Sequence, residues 1–223
     1  MKRLLFWILG AALLPLALTT TSFGQSFPFE KEVQDIVLKY ETKGWEEGAV
    51  LLTGSSTIRL WASLEKDFPK ARIINTGFGG SQADELLHYL HELVTRYRPS
   101  KVFIYEGDND IFSGKSPEEI MQTFEELVYA IRAELPNTKI YLISAKPSPS
   151  RWHLQGKYEE LNRQMRRFCE SHPYLSYVDT WQAMLDNARN ANPSLFIEDQ
   201  LHMNEKGYKV WKKILKPYIY SKN

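Results

Sequence analysis

The amino-acid sequence predicts a single domain of the α/β class, with helices on both faces of a mainly parallel sheet. Five short apolar runs alternate along the chain with segments whose apolar residues recur every three or four positions. Short uninterrupted runs are typical of strands buried on both faces, as in parallel sheets, and the second spacing is that of a helix. Their alternation therefore predicts a three-layer α/β/α fold.

Each predicted strand is followed by glycine or by a polar residue, which marks the place where the strand ends. The predicted strands are residues 49–53 (AVLLT), 72–75, 101–105 (KVFIY), 139–143 (KIYLI) and 175–178. No repeat, low-complexity tract or long linker interrupts this series. We therefore expect one domain over residues 25–223.

The predicted helices each carry apolar residues on one face. These residues are Ala83, Leu86, Leu87, Leu90 and Val94 in the first helix, Ile120, Phe124, Leu127, Val128 and Ile131 in the second, Tyr158, Leu161, Met165 and Phe168 in the third, and Tyr208, Trp211, Leu215 and Tyr218 in the last. Ser116-Pro117 is typical of a helix start. Pro217 predicts that the last helix stops near that residue.

The N-terminal residues 1–24 are typical of a secretory signal peptide. Two basic residues precede an apolar run over residues 4–18, and mostly small or polar residues follow it. The pattern predicts cleavage before Gln25, export to the periplasm or the medium, and no stable membrane span in the mature chain. The alternative is an uncleaved membrane anchor, for which the run is short and is interrupted by Pro15.

Charge and cysteine content narrow the classes of function. Loss of residues 1–24 removes two basic and no acidic residues, so the formal charge changes from +1 to −1 (26 basic against 27 acidic residues). This balance does not favour nucleic-acid binding by bulk electrostatics. Cys169 is the single cysteine of the sequence, so an intramolecular disulfide is impossible, and its apolar helical surroundings predict a buried structural thiol.

Polar or glycine-rich segments follow the first four predicted strands. They are residues 54–57 (GSST), 75–80 (NTGFGG), 106–110 (EGDND) and 144–152 (SAKPSPSRW). In open parallel sheets, ligands bind beyond the carboxyl ends of the strands. We therefore expect these segments to form one site at one edge of the sheet, together with the loop at residues 199–202 (DQLH).

Ser56, His202 and Asp199 are candidates for acyl transfer. Ser56 begins a predicted helix, where free backbone N–H groups and the helix dipole favour negative charge, and Ser55 is the alternative nucleophile. His202 can act as the base, with Asp199 three residues earlier to orient its ring. Each pattern also has a structural explanation, because Gly-Ser-Ser is common in turns and Asp199 with Asn204 can cap the last helix.

Gly80 and Asn109 are candidate donors to the oxyanion that acyl transfer generates. Glycine allows close approach of its backbone N–H, and asparagine offers a side-chain amide. The histidines do not suggest a metal site. His88 and His91 lie on a predicted helix but do not form the HExxH pattern of metalloproteases, and no other segment has the spacing of metal ligands.

These segments together resemble the sequence blocks of the SGNH hydrolase superfamily, the GDSL-like lipases and acylhydrolases. The resemblance spans residues 49–218, and the second block (NTGFGGS) is most similar to the branch of platelet-activating-factor acetylhydrolase. It implies a flavodoxin-like five-stranded sheet of order 2-1-3-4-5, ester hydrolysis, and neither a metal nor an organic cofactor. The roles it implies are Ser56 as nucleophile, His202 and Asp199 as its partners, and Ser56, Gly80 (or Gly79, if the register differs by one) and Asn109 as the oxyanion hole.

Two features depart from related patterns. The usual GDS of the family is GSS here, so Ser55 stands in place of an aspartate, which questions how the nucleophile loop is held. There is no GxSxG motif, because Thr57 follows Ser56 and the second glycine is absent. The ordinary α/β-hydrolase fold is therefore not expected.

Residues that border the site are expected to select the substrate. They are Arg59, Trp61, Lys146, Arg151 and Trp152. Basic and aromatic side chains suit anionic headgroups or sugar faces, although ordinary packing is the alternative for each. Because no long apolar lid segment is present, we expect a small acyl ester, such as an acetylated carbohydrate. The alternatives are a lysophospholipase or thioesterase, a non-catalytic carbohydrate-binding protein, and a flavodoxin-like electron carrier.

Overall fold

The computed structural model describes residues 27–221 of the chain. The predicted signal peptide at residues 1–24 lies outside the described residues, so its cleavage and the export of the chain stay predictions. Within residues 27–221, no helix has both the length and the apolar character that a membrane span needs.

Residues 27–221 fold around a five-stranded parallel sheet of order β2-β1-β3-β4-β5. The strands are β1 Val50–Gly54, β2 Ile73–Asn75, β3 Lys101–Tyr105, β4 Lys139–Ile143 and β5 Leu175–Val178. The expected sheet order is confirmed, and the predicted strand limits differ from the observed ones by at most one residue. The strand order reverses at β1, which pairs with β2 on one side and β3 on the other, and this switch point is where such sheets bind ligands.

Helices cover both faces of the sheet. They are α1 Glu30–Lys43, α2 Ser56–Arg59, α3 Leu64–Asp67, α4 Ala83–His88, α5 Leu90–Leu93, α6 Asp108–Phe112, α7 Pro117–Glu134, α8 Gln155–Glu170 and α9 Glu205–Tyr220, with short 3-10 helices at Thr95–Tyr97, Pro149–Leu154, Gln182–Met184 and Pro193–Leu195. Apolar residues of α1, α4, α5, α7 and α8 pack on one face, and those of α2, α3 and α9 pack on the other. The predicted three-layer α/β/α architecture is therefore confirmed.

Helix α1 was not predicted from the sequence. It buries only Val33 and Tyr40, so its apolar stripe is too narrow to stand out from a charged segment. The Tyr40 hydroxyl accepts a hydrogen bond from the Asn75 N–H at 2.7 Å, which connects α1 to the end of β2. The contact between Tyr40 and Asn75 joins residues that are 35 positions apart. The spacing of apolar residues within one segment cannot predict such a contact.

Two predicted helices differ from the observed ones. The helix predicted around Ala83 is divided at Tyr89, but Leu86 and Leu90 on either side both stay buried, so the apolar spacing hides the break. The last helix does not stop at Pro217 but continues to Tyr220.

A buried lysine stabilises the end of α9 beyond its proline. The Lys101 ammonium, at the start of β3, donates to the carbonyl oxygens of Tyr218 at 2.9 Å, Ile219 at 3.0 Å and Ser221 at 2.6 Å. These carbonyls have no N–H partner at the end of a helix. Pro217 lacks only the N–H that pairs with the Lys213 carbonyl, and Lys101 stabilises the turn beyond the proline by supplying donors to the last carbonyls.

The end of β1 approaches β3 so closely that only glycine fits. Gly54 has a φ of +126°, and a side-chain carbon there would lie 2.0 Å from the carbonyl oxygen of Tyr105. The same oxygen accepts the Ser55 N–H at 3.1 Å, and the Gly54 carbonyl accepts the Phe78 N–H at 2.9 Å. Gly54 therefore holds the turn before Ser56 against the end of β3 and against the glycine-rich turn after β2.

We expect Gly54→Ala to lower the free energy of unfolding by more than the roughly 1–2 kcal/mol that a left-handed backbone costs an alanine. The added methyl group would also collide with the Tyr105 carbonyl. Gly114→Ala is the matched control, because Gly114 has a φ of +104° but open space around it. Urea unfolding measures both changes, and equal losses would show that the close approach contributes nothing.

Candidate active site

The Ser56 hydroxyl lies at the start of α2, where two side chains from elsewhere hold the main chain of the loop. Asn75 donates from its amide to the Ile58 carbonyl at 3.0 Å, and the Tyr208 hydroxyl donates to the Thr57 carbonyl at 3.0 Å. The preceding residue, Ser55, is the N-cap of α2 but makes no side-chain capping bond. These contacts hold the loop without the aspartate that Ser55 replaces.

Ser56, His202 and Asp199 form one chain of hydrogen bonds. Ser56 Oγ lies 2.9 Å from His202 Nε2, and His202 Nδ1 lies 2.6 Å from Asp199 Oδ2. Because an ionised carboxylate can only accept, Asp199 places the imidazole proton on Nδ1 and leaves Nε2 to accept from Ser56. The structure thus brings together three residues that are up to 146 positions apart in the sequence.

The ionised state of Asp199 follows from its own loop. Desolvation tends to raise the pKa of Asp199, but hydrogen bonds from the His202 ring and from the backbone N–H groups of His202 and Leu201 lower it to about 2. Both backbone bonds are 2.9 Å long. The carboxylate that orients His202 therefore stays charged over the range in which most enzymes act.

The capping explanation applies to Asn204 and not to Asp199. The side chain of Asn204 accepts the N–H groups of Lys206 at 2.8 Å and Gly207 at 3.2 Å, and so caps α9. The carboxylate of Asp199 instead accepts the N–H groups of Leu201 and His202 within its own turn. The two roles that the sequence left as alternatives thus belong to two different residues.

Gly80 and the side-chain amide of Asn109 lie close together. A side-chain carbon on Gly80 would lie 3.8 Å from Asn109 Nδ2. The backbone N–H groups of Gly80 and Ser56 have no acceptor among residues 27–221. Gly79, the alternative in the sequence, already donates its N–H to the carboxylate of Glu32 at 2.9 Å, which favours Gly80 as the free donor.

Lys146 and Arg151 do not border a substrate pocket as expected. Lys146 is 1% exposed and Arg151 8%, and both turn inward to the buried carboxylate of Asp108. The distances are 3.0 Å from Lys146 Nζ and 2.6 Å from Arg151 Nη1. Burial favours a raised pKa for Asp108, but the two cations hold it well below its usual range.

The expectation that Trp61 borders the substrate also needs correction. Its side chain is 1% exposed, packs against Trp211 and donates from Nε1 to Asp67 at 2.9 Å, so it belongs to the core. The packing explanation that the sequence left open is the one that applies to it.

Arg59 and Trp152 remain accessible at the surface. The guanidinium of Arg59 lies 3.6 Å from the Glu32 carboxylate, and its side chain is 46% exposed. Trp152 is partly buried and stacks on Trp181 with ring centres 6.0 Å apart. These two residues stay candidates for contact with a substrate.

Two further carboxylates that were not assigned roles from the sequence organise the loops. Asp110 accepts the N–H groups of Ala83 at 3.0 Å and Gly107 at 3.1 Å, so it ties the loop after β2 to the loop after β3. Glu106 accepts the Ser81 hydroxyl at 2.7 Å, and its other oxygen is buried without a partner among the described residues. Their position after β3 is visible in the sequence, but their burial is not.

The described residues contain no group of three or more His, Cys, Asp or Glu side chains that could hold a metal ion. The single cysteine of the sequence, Cys169, is buried on α8. Burial raises the pKa of its thiol to about 12, which keeps the group protonated and unreactive.

A model of the GDSL-like Lipase/Acylhydrolase family matches residues 42–210, a range that contains every candidate catalytic residue. The chain belongs to this family. The resemblance drawn from the sequence blocks is therefore confirmed at the level of the family. No curated protein gives a significant match to the sequence.

Solved structures of similar fold support the same architecture. One is a protein from Streptococcus pneumonia provisionally assigned as a platelet activating factor, with 24% identity, a TM-score of 0.75, and coverage of 85% of this chain and 94% of that one. A GDSL-like lipase from Bacteroides thetaiotaomicron has 20% identity, a TM-score of 0.69 and coverage of 82% and 96%. A variant of an acetyl-xylooligosaccharide esterase from Geobacillus Stearmophilus has 18% identity, a TM-score of 0.64 and coverage of 79% and 96%.

Glu106→Gln is expected to stabilise this GDSL-family protein at neutral pH and to have little effect near pH 4. Burial raises the pKa of Glu106 well above its usual value, with the nearby Asp110 acting in the same direction. The unfolded chain ionises near pH 4.3, so folding becomes less favourable above that pH by up to about 1.4 kcal/mol per pH unit. Glutamine removes this dependence.

Thermal unfolding between pH 4 and pH 8 measures the effect of Glu106→Gln. The control is Glu125→Gln, because Glu125 is exposed on α7 and the substitution is expected to change stability little at any pH. A Glu106→Gln effect of the same size at pH 4 and pH 8 would contradict a neutral, buried Glu106.

Proposed function

We propose that this protein is a serine esterase that hydrolyses carboxylic esters. The observation that carries the proposal is the hydrogen-bonded chain from Asp199 through His202 to the partly exposed Ser56, at the switch point of the sheet. Membership of a family of lipases and acylhydrolases supports the same reaction class. A non-catalytic carbohydrate-binding protein would have no need of an aligned nucleophile, base and orienting carboxylate.

In the first half of the proposed reaction, Ser56 Oγ attacks the ester carbonyl carbon while His202 Nε2 takes the serine proton. The carbonyl oxygen becomes an oxyanion, which accepts hydrogen bonds from the backbone N–H groups of Ser56 and Gly80 and from the Asn109 amide. The C–O bond to the alcohol then breaks, and His202 returns the proton to the leaving alcohol. A water molecule, deprotonated by His202, then attacks the acyl carbon. The bond from that carbon to Ser56 Oγ breaks, His202 returns the proton to Ser56, and the acid leaves.

Ser56→Ala is expected to reduce p-nitrophenyl acetate hydrolysis to background, a loss on the order of 10⁶-fold in kcat. The fold should persist, because the Ser56 side chain bonds only to His202 among the described residues. Ser55→Ala is the matched control, since it removes the neighbouring hydroxyl and should keep most of the activity. A fluorophosphonate probe should label wild type and Ser55→Ala but not Ser56→Ala, and activity retained in Ser56→Ala would refute the proposal.

We further propose that the substrate carries a small acyl group, such as an acetyl group on a carbohydrate. The side chain of Phe112, three residues after Asn109, is 59% exposed, and its ring lies 4.3 Å from the Arg151 guanidinium carbon. An exposed aromatic ring on the same short helix as the candidate oxyanion donor suits the flat face of a sugar. The name of one fold neighbour, an acetyl-xylooligosaccharide esterase, agrees with this substrate class.

A lysophospholipase or thioesterase is the second candidate, because a groove with an apolar part lies beside the loop of His202. The groove has a volume of about 610 Å³, and Met203 and Tyr208 line it together with two half-exposed side chains, Leu60 and Ile197. A groove of this size can bury a longer acyl chain. The two candidates therefore differ in where the acyl chain lies.

An acyl-length series of p-nitrophenyl esters separates these candidates. We expect kcat/KM to be highest for the acetate and to fall for the butyrate and the octanoate. If the substrate carries a small acyl group, that group does not occupy the groove. We therefore expect Leu60→Ser to leave this ranking unchanged. Faster cleavage of the octanoate, together with its loss in Leu60→Ser, would contradict the small-acyl proposal and favour the second candidate.

A further inference from the structure

The buried side chain of Arg151 connects Asp108 with the candidate oxyanion donor Asn109. Its Nη1 atom lies 2.6 Å from Asp108 Oδ1, 3.1 Å from the Asp108 carbonyl oxygen and 3.0 Å from Asn109 Oδ1. The side chain is 9% exposed, so water has little access to replace these bonds. A single guanidinium nitrogen therefore bridges a buried carboxylate and the side-chain amide of the candidate oxyanion donor.

The partners of Asn109 determine which way its amide points. Arg151 can only donate, so the atom that it contacts must be Oδ1. The Ser81 carbonyl can only accept, and it lies 2.9 Å from the other amide atom, which must then be Nδ2. One N–H of Nδ2 is used by Ser81, and the second has no acceptor among residues 27–221. The Nδ2 atom lies 3.8 Å from where a side-chain carbon on Gly80 would be.

Asp108 and its other partners hold Arg151 in place. The carboxylate also accepts from Lys146 Nζ at 3.0 Å, the Tyr158 hydroxyl at 2.6 Å and the Tyr105 hydroxyl at 3.0 Å. The two ion pairs are buried, so water does not compete for the carboxylate, and Arg151 Nη1 stays in place beside Asn109.

We propose that Arg151 is a positioning residue for the oxyanion hole, which holds the Asn109 amide with one N–H directed at the developing negative charge. The inference rests on the proposed esterase function and adds a determinant of its rate. Arg151 itself touches no substrate. Its effect passes through Asn109, and that requirement separates it from an arginine that merely stabilises the core.

A double-mutant cycle tests the coupling between Arg151 and Asn109. Asn109→Ala is expected to lower kcat by about 100- to 1,000-fold, the range for loss of one oxyanion donor. Arg151→Met is expected to lower kcat by about 10- to 100-fold with KM little changed, since the loss falls on the transition state. In the Asn109→Ala background, Arg151→Met should have almost no further effect, because the group through which it acts is absent.

Two variants serve as controls for charge and for general damage. Arg151→Lys keeps a donor and a positive charge near Asp108, and it should recover part of the activity lost in Arg151→Met. Arg163→Met removes an exposed arginine of α8 that pairs with Glu160, and it should leave kcat unchanged. If Arg151→Met does not fold, as circular dichroism would show, the same cycle is run with Arg151→Lys.

The outcomes separate this inference from the proposed function. Activity retained in Ser56→Ala would refute the esterase mechanism itself. If Ser56→Ala is inactive but Arg151→Met keeps wild-type kcat, or lowers kcat by the same factor with and without Asn109, the positioning role is refuted. A loss of kcat confined to the background that contains Asn109 supports it.

Discussion

The parallel pairing of β1 with β3 is the constraint on which the candidate site depends. Gly54 lies opposite Tyr105 at the carboxyl ends of the two strands. Ser56 follows two residues after the first, and Asn109 four residues after the second. Because the strands are parallel, the segments after β1 and β3 leave the sheet at the same edge. Each segment begins a helix, and the first N–H groups of a helix have no partner within that helix. A shift of register by one residue would turn the side chains to the other face and separate the candidate nucleophile Ser56 from the candidate oxyanion donor Asn109.

The buried acids behind this edge show how neighbours determine ionisation. Glu106 and Asp108 are two residues apart and both fully buried, yet their pKa values move in opposite directions. Glu106 is paired with the hydroxyl of Ser81, which cannot compensate for lost hydration of a charge. Asp108 has two cations and two tyrosine hydroxyls, so its charged form is stabilised. The segment after β3 thus carries a neutral buried acid, Glu106, and an ionised buried acid, Asp108, which binds two cations.

The loop that carries His202 differs from the rest of the site because its internal contacts join residues that are close in sequence. Asp199 orients the histidine from within the same short turn, and Asn204 fixes the next residues to α9. Gln200, between them, adopts a φ of +55°, a conformation that the backbone bonds around it stabilise. This part of the site is local in sequence, which is why its spacing was informative before the fold was known.

Much of the fold could be predicted because it rests on local patterns. Short stretches of residues are enough to predict a buried strand or the apolar face of a core helix. The catalytic candidates also lie in short sequence blocks, most of them at strand ends. Helix α1 and the extension of α9 past Pro217 could not be predicted. The first depends on the contact of Tyr40 with β2, and the second on the ammonium of Lys101, more than 100 residues away.

By itself, the sequence determined the fold class, the family and the set of candidate catalytic residues, including Ser56, Asn109, Asp199 and His202. The tertiary structure alone decided what the flanking residues do. Trp61, Lys146 and Arg151 were indistinguishable in the sequence from exposed substrate contacts, but the first lies in the core and the other two neutralise Asp108. The physical reason is that burial and ion pairing are properties of distant segments brought together, and no local pattern of residues records them.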